Sequence, residues 1–161
     1  MDSTYIDFLL TDEESLQFER DGYLIVESVL PKDMVDDLIP VVDRVDGEER
    51  LRMGKSPDER INHYDFIGKD ALFLELLDWP QTFPKVWGIL GWHIQLYHTH
   101  MTLTPPAVPG SSLDTAGLGL AWHQDCGRLN RDYETNPRPR VSLKSGYFLT
   151  DTSVVDRGNL Y

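Results

Sequence analysis

The chain has 161 residues, of which 27 are acidic and 15 basic, so its formal net charge is −12. Such an acidic protein is not expected to bind nucleic acid or anionic membranes, because both are bound by basic surfaces. A hydrophobic share of 40% is enough for a sizeable core in one domain. The apolar runs fall far short of the ~20 residues that a membrane span requires, and a single cysteine cannot form an internal disulfide. We therefore expect one cytoplasmic domain.

The first predicted helix has a clear start and a clear end. Thr11 and Glu14 stand in the positions of a capping box, which predicts a helix over residues 12–21. Gly22 is then expected to end the helix, because glycine readily adopts the left-handed backbone conformation of a helix C-cap. The next four residues, 23–26, are Tyr-Leu-Ile-Val and predict a short β-strand.

A second helix is predicted to begin near Pro31, because proline suits the first turn of a helix. Apolar residues recur at helical spacing from there to Val45, and Pro40 is expected to kink the helix. Residues 46–58 are charged and contain two glycines and a proline, so a mobile surface loop is predicted for them.

The second half of the chain changes from helical to extended patterning. Two short helices are predicted over 71–77 and 83–90, with Gly91 ending the second. Alternating residues predict one long strand over 92–104 and another strand near 141–150. Helices followed by strands indicate an α+β fold with antiparallel strands.

On the long predicted strand, alternate side chains share a face, because side chains in a β-strand point to opposite sides in turn. One face then carries Trp92, Ile94, Leu96, His98, His100, Thr102 and Thr104. The pattern therefore groups two imidazoles and a hydroxyl near the end of the strand.

The sequence His123-Gln124-Asp125 suggests a metal site. On an extended segment, residues two apart point the same way, so the imidazole and the carboxylate can reach one ion. Together with one more histidine, this pair would complete the 2-His-1-carboxylate triad of non-haem Fe(II) enzymes. So short a motif also occurs by chance, and a helix cap or a surface salt bridge is the other interpretation.

The other histidines have plainer interpretations. Zinc is an alternative metal that could use His93, His98, His100 and His123. It is the weaker alternative, because His93 lies on the opposite strand face and no second cysteine is present. His63 is interpreted as a partly exposed residue that makes a hydrogen bond.

Structural roles are the first interpretation of the tryptophans and of the basic residues after the metal motif. Trp79, Trp87 and Trp92 are predicted to pack in the core. The basic cluster is interpreted as a solvated loop, with binding of a substrate carboxylate as the alternative; it comprises Arg128, Arg131, Arg138, Arg140 and Lys144.

Several blocks, taken in order along nearly the whole chain, resemble the phytanoyl-CoA dioxygenase family of Fe(II)- and 2-oxoglutarate-dependent hydroxylases. The blocks are residues 18–26, 29–31, 95–100, 105–106, 122–125, 151–152 and 158–160. The resemblance implies N-terminal helices followed by a double-stranded β-helix, or jelly roll. It also implies hydroxylation of an unactivated carbon of a small organic substrate, with succinate and CO2 as coproducts.

The resemblance assigns the site residue by residue. His123 and Asp125 match the iron ligands, and three strand residues match the side that faces 2-oxoglutarate: His98, His100 and Thr102. Tyr147 matches an aromatic residue beside the cosubstrate. The implied cofactors are Fe(II), 2-oxoglutarate and O2, with ascorbate as a possible reductant, and nothing assigns the residues that bind substrate.

The chain departs from the family pattern in two places. Thr104 stands where many relatives have a lysine. In the family, the stretch matched by 158–160 is followed by strands that carry a distal iron histidine and an arginine that binds 2-oxoglutarate. Because the sequence stops at Tyr161, we expect a truncated domain over residues 1–161. The alternative function is a catalytically inactive fragment or a binding module of the same fold.

Overall fold

The computed structural model describes residues 3–105, 125, 127–137 and 139–154. Within these ranges the protein has an α+β architecture of helices and one two-stranded antiparallel sheet. The helices are α1 (Asp12–Asp21), α2 (Lys32–Met53), α3 (Ala71–Leu74), α4 (Phe83–Leu90) and α5 (Gly127–Asp132), with 3₁₀ helices at Ser3–Phe8 and Phe66–Lys69. The strands are β1 (Ile61–Tyr64) and β2 (His100–Leu103). Of the helices described, none is long and apolar enough to cross a bilayer.

Helix α1 begins and ends where its capping residues predict. The Glu14 amide donates to Thr11 Oγ1 at 3.2 Å, and the Thr11 amide donates to Glu14 Oε2 at 3.0 Å. Gly22 ends the helix with φ 79°. The strand predicted at 23–26 is wrong, because this segment has no regular secondary structure and pairs with neither β1 nor β2. A β-prone run adopts strand structure only where another strand satisfies its backbone.

Helix α2 is longer than predicted. It continues through Pro40 and ends at Gly54, which has φ 64°. The loop prediction for 46–58 is therefore wrong over residues 46–53. Charged residues tolerate a helix well when they pair along it. One such pair joins Arg50 Nε to Asp46 Oδ2 at 2.6 Å.

The core lies between α2, α3 and the sheet. Its buried members are Met34, Leu38, Val45 and Phe73. Partly buried residues pack around them, including Met101 of β2 and Leu149 of the C-terminal segment. Both the short sheet and the segment 139–154 are thus anchored on α2.

The sheet is smaller than predicted, and β1 was not predicted. β2 forms only at His100–Leu103, where its residues pair with β1 in the register Tyr64 with His100 and Asn62 with Thr102. The long strand over 92–104 is wrong outside this stretch, and the described residues near 141–150 form no strand. The length of β2 is set by its four-residue partner, which alternation within one segment cannot reveal.

The helix predicted at 71–77 is shorter in the structure, where α3 ends at Leu74, whereas α4 spans residues 83–90 as predicted. Gly91 follows α4 with φ 88°, as expected for the residue that ends this helix.

Gly88, within α4, faces the chain just before α1. A Cβ added at Gly88 would come within 2.7 Å of Leu10 Cβ. Glycine therefore permits the close approach of these two segments.

We expect Gly88→Ala to destabilise the protein by about 1–2 kcal/mol, because overpacking forces Leu10 and its backbone to move. Gly47→Ala in α2 is the matched control, since nothing lies within 4 Å of a Cβ added there. The control should stabilise by about 0.5–1 kcal/mol through the better helix propensity of alanine. Urea unfolding measures both. A Gly88→Ala midpoint above that of the wild type would contradict the close approach.

An ion pair also joins α1 to α4. Lys85 Nζ lies 2.6 Å and 2.8 Å from the two carboxylate oxygens of Glu14. Burial by itself would raise the pKa of Glu14, but hydrogen bonds from Lys85 and from the Thr11 backbone outweigh burial and lower it. A lowered pKa means that the charged carboxylate favours the folded state.

The stabilisation from Glu14 is expected to be complete above about pH 4.5, the ordinary pKa of a glutamate, and to be lost as the pH falls through the lower folded-state pKa. Glu14→Gln keeps the capping geometry and should cost about 1 kcal/mol at pH 7. This difference should shrink below about pH 4.5. Thermal unfolding at several pH values measures it, with Glu13→Gln as the exposed neighbouring control. A pH-independent difference would contradict the ion pair.

Candidate functional site

Two histidine rings lie side by side at the start of β2. The ring centroids of His98 and His100 are 5.3 Å apart, and Tyr64 on β1 lies 5.6 Å from the His98 ring. Because β2 pairs with β1, the antiparallel register fixes the backbone of His100 opposite Tyr64. The structure thus brings together the two imidazoles that the alternating pattern grouped.

Asp125, which is distant from these rings in sequence, carries a charge that acts on the His100 ring. Its carboxylate is exposed and forms an ion pair with Lys144. The other predicted iron ligand, His123, lies outside the described residues, so the geometry of the His123-Asp125 pair stays a prediction. Lys144 was interpreted as part of a solvated loop, and its partnership with Asp125 was missed.

The electrostatics of His100 link all these groups. Partial burial lowers the pKa of His100, the positive charges of Lys144 and His98 lower it further, and Asp125 acts in the opposite direction. Together these effects lower the pKa of His100 and so favour its neutral imidazole form. We call His98, His100, Asp125 and Lys144 the His100 cluster.

The other two residues matched to the cosubstrate pocket have partners of their own. Thr102 Oγ1 donates to Asn62 Oδ1 at 2.8 Å across the sheet. The Tyr147 hydroxyl lies 2.6 Å from Thr82 Oγ1 and donates to the Leu76 carbonyl at 3.2 Å. Burial raises the pKa of Tyr147, against the opposing effect of Thr82. The neutral Tyr147 hydroxyl therefore links the segment 139–154 to Thr82 and Leu76 by hydrogen bonds.

An open cleft of about 600 Å³ adjoins Asp125 and Lys144. Its lining includes Tyr23, Leu24 and Ile89, together with the segment 139–147. This volume lies within the range of small-molecule sites. Tyr23 and Leu24, which follow α1 and form no strand, therefore help to line a space large enough for a small organic substrate.

The His100 cluster contains two of the ligand types that a divalent metal uses. Fe(II) in oxygenases takes neutral imidazole and carboxylate ligands, and both types are present at His100 and Asp125. In the ranges that the structure describes, no group of three or more potential ligands assembles. His93, His98 and His100 accordingly do not form a zinc site by themselves. Asp125 fits a metal, and further ligands would have to come from residues such as His123.

His63 is more buried than interpreted from the sequence. It is only 5% exposed, and its Nε2 lies 2.7 Å from Asp46 Oδ1. The expected hydrogen bond is confirmed, whereas the expected partial exposure is wrong. Asp46 comes from the part of α2 that was predicted to be a loop, so the sequence pattern concealed this contact.

The tryptophan predictions are correct only in part. Trp87 is buried, and Trp79 is half-buried with Nε1 donating to the Val29 carbonyl at 2.7 Å. Trp92 was predicted in the core, but it is 63% exposed and stacks on Trp87 with ring centroids 4.3 Å apart. One face of the Trp92 ring packs on Trp87, and the rest of the side chain is exposed to solvent. The sequence pattern cannot distinguish such a half-packed tryptophan from a fully buried one.

Comparisons with known proteins give no independent assignment. No protein-family model matches the chain, and neither a curated protein nor a solved structure is significantly similar to it. The resemblance to the phytanoyl-CoA dioxygenase family therefore rests on the sequence blocks and on their order.

Proposed function

We propose that this chain is part of a non-haem Fe(II)- and 2-oxoglutarate-dependent dioxygenase of the phytanoyl-CoA dioxygenase type. It would act in the cytoplasm and hydroxylate an unactivated carbon of a small organic molecule. The observation that carries the proposal is that Asp125 and Tyr147 line the same open cleft. The resemblance assigns the first to iron and the second to the cosubstrate, so the two residues must be neighbours if the assignment is right. The finer fold proposed is a double-stranded β-helix that includes β2.

Each residue has a role that follows from its chemistry. Asp125 and His123 would hold the iron, leaving positions open on the metal. His98, His100 and Thr102 would contact 2-oxoglutarate with their imidazole and hydroxyl groups. Tyr147 would contribute its ring, since its hydroxyl already has partners.

The bound iron would supply the activation of O2, with one oxygen atom entering succinate and the other the hydroxylated product. The protein's own contribution is orientation and access. The cleft beside Asp125 would hold the substrate carbon near the metal and limit the entry of water. The lowered pKa of His100 favours its neutral form, which adds no charge that would repel the metal.

Binding of 2-oxoglutarate with and without metal tests the proposal. Calorimetry under anaerobic conditions should show that Fe(II) strengthens 2-oxoglutarate binding at least tenfold. Mg²⁺ is the control, because it keeps its water ligands and prefers all-oxygen sites. Equal 2-oxoglutarate affinity with Fe(II), with Mg²⁺ and without metal would contradict the proposed function.

A further inference from the structure

Lys144 is held where its ammonium group meets the carboxylate of Asp125. The two side chains are 54% and 41% exposed, so the pair sits at the open cleft and not in the core. Three residues later, Tyr147 is fastened to Thr82 and Leu76. Lys144 is therefore an exposed residue that lies three positions before an anchored one.

The contact uses an oxygen that a metal would need. The ammonium of Lys144 pairs with Oδ2 of Asp125. An ammonium group and a metal cation both seek carboxylate lone pairs, and each repels the other when they are close. The same positive charge also acts on His100, the nearby imidazole.

We propose that Lys144 is the counter-ion that occupies Asp125 in the metal-free protein and that a divalent metal must displace it to bind. This inference rests on the proposed function, because it takes Asp125 as a metal ligand. Lys144 thereby lowers the metal affinity of the site, and its displacement frees an ammonium group beside the cleft.

A purely structural role for Lys144 leads to the opposite result. If Lys144 only held Asp125 in place, its removal would release the carboxylate and weaken metal binding. If Lys144 competes with the metal, its removal strengthens binding. The direction of the change therefore separates the two roles.

The test measures Mn²⁺ affinity by calorimetry for the wild type, Lys144→Met and Lys144→Arg. Lys144→Met is expected to bind Mn²⁺ about fivefold more tightly, the size of effect that a partly exposed ion pair can exert. Lys144→Arg keeps the charge and should bind like the wild type. Lys55→Met is the matched control, since Lys55 forms an ion pair with Glu59 at similar exposure and does not line the cleft. It should leave the affinity unchanged.

Unchanged or weaker Mn²⁺ binding by Lys144→Met would overturn the inference, as would the absence of Mn²⁺ binding in every variant. Succinate formation by the full-length protein with the same substitutions tests the proposed function separately. Tighter Mn²⁺ binding by Lys144→Met without succinate from any variant would support the role of Lys144 and reject the dioxygenase. Succinate formation with unchanged Mn²⁺ affinity in Lys144→Met would support the dioxygenase and reject the proposed role of Lys144.

Discussion

In the full-length protein, replacing Asp125 by alanine is expected to reduce Fe(II)-dependent conversion of 2-oxoglutarate to succinate at least a hundredfold. The substitution removes one of the protein's metal ligands in the proposed site, and loss of a ligand lowers both metal affinity and turnover. The fold should survive, because Asp125 is exposed and its ion pair with Lys144 is partly solvated. Such pairs contribute at most about 1 kcal/mol to stability. Succinate assays and urea unfolding measure the two effects separately.

Asp132→Ala is the matched control for this substitution. Asp132 is an exposed carboxylate at the end of α5, in the same part of the chain as Asp125. Its replacement should leave turnover unchanged. Turnover of Asp125→Ala within threefold of the wild type, in a protein with an unchanged unfolding midpoint, would show that Asp125 does not hold the metal.

The largest expected effect on stability comes from Asp46→Ala. Asp46 accepts a hydrogen bond from Arg50 Nε at 2.6 Å, and its other oxygen lies 2.7 Å from His63 Nε2. Arg50 is buried and also donates to the Ser56 and Glu59 carbonyls. Removing Asp46 leaves a buried guanidinium without its anion, which typically costs about 3–5 kcal/mol.

Urea unfolding of Asp46→Ala against Asp43→Ala measures this cost. Asp43 is exposed on the preceding turn of α2, so its loss should change stability by no more than about 0.5 kcal/mol. Similar values for the two variants would mean that the buried network contributes little. The network matters for the site because His63 belongs to β1, the strand that pairs with the stretch from His100 to Leu103.

The parts of the fold that could be predicted are those with local signals. The capping box at Thr11 and the glycines after α1 and α4 specify their helix ends through neighbouring backbone groups. The end of α2 could not be predicted in this way, since Arg50 and Asp46 are stabilised by contacts with the loop and with β1. Strand lengths likewise depend on partners elsewhere in the chain.

The same distinction applies to the candidate site. The adjacency of His98 and His100 follows from alternation along one segment, and the structure brings the rings together. The pairing of Lys144 with Asp125 depends on how two segments that are separate in the sequence pack. No spacing rule links those segments, so only the tertiary structure could reveal Lys144 as the partner of Asp125.

The most direct test of the central claim is succinate formation by the full-length protein under air. The account predicts that 2-oxoglutarate is consumed and succinate appears in equal amounts, only with Fe(II) and O2 present, and that a chelator stops the reaction. Asp125→Ala supplies the background rate. Succinate formation by the iron-loaded wild-type protein no faster than this background would contradict the proposed dioxygenase.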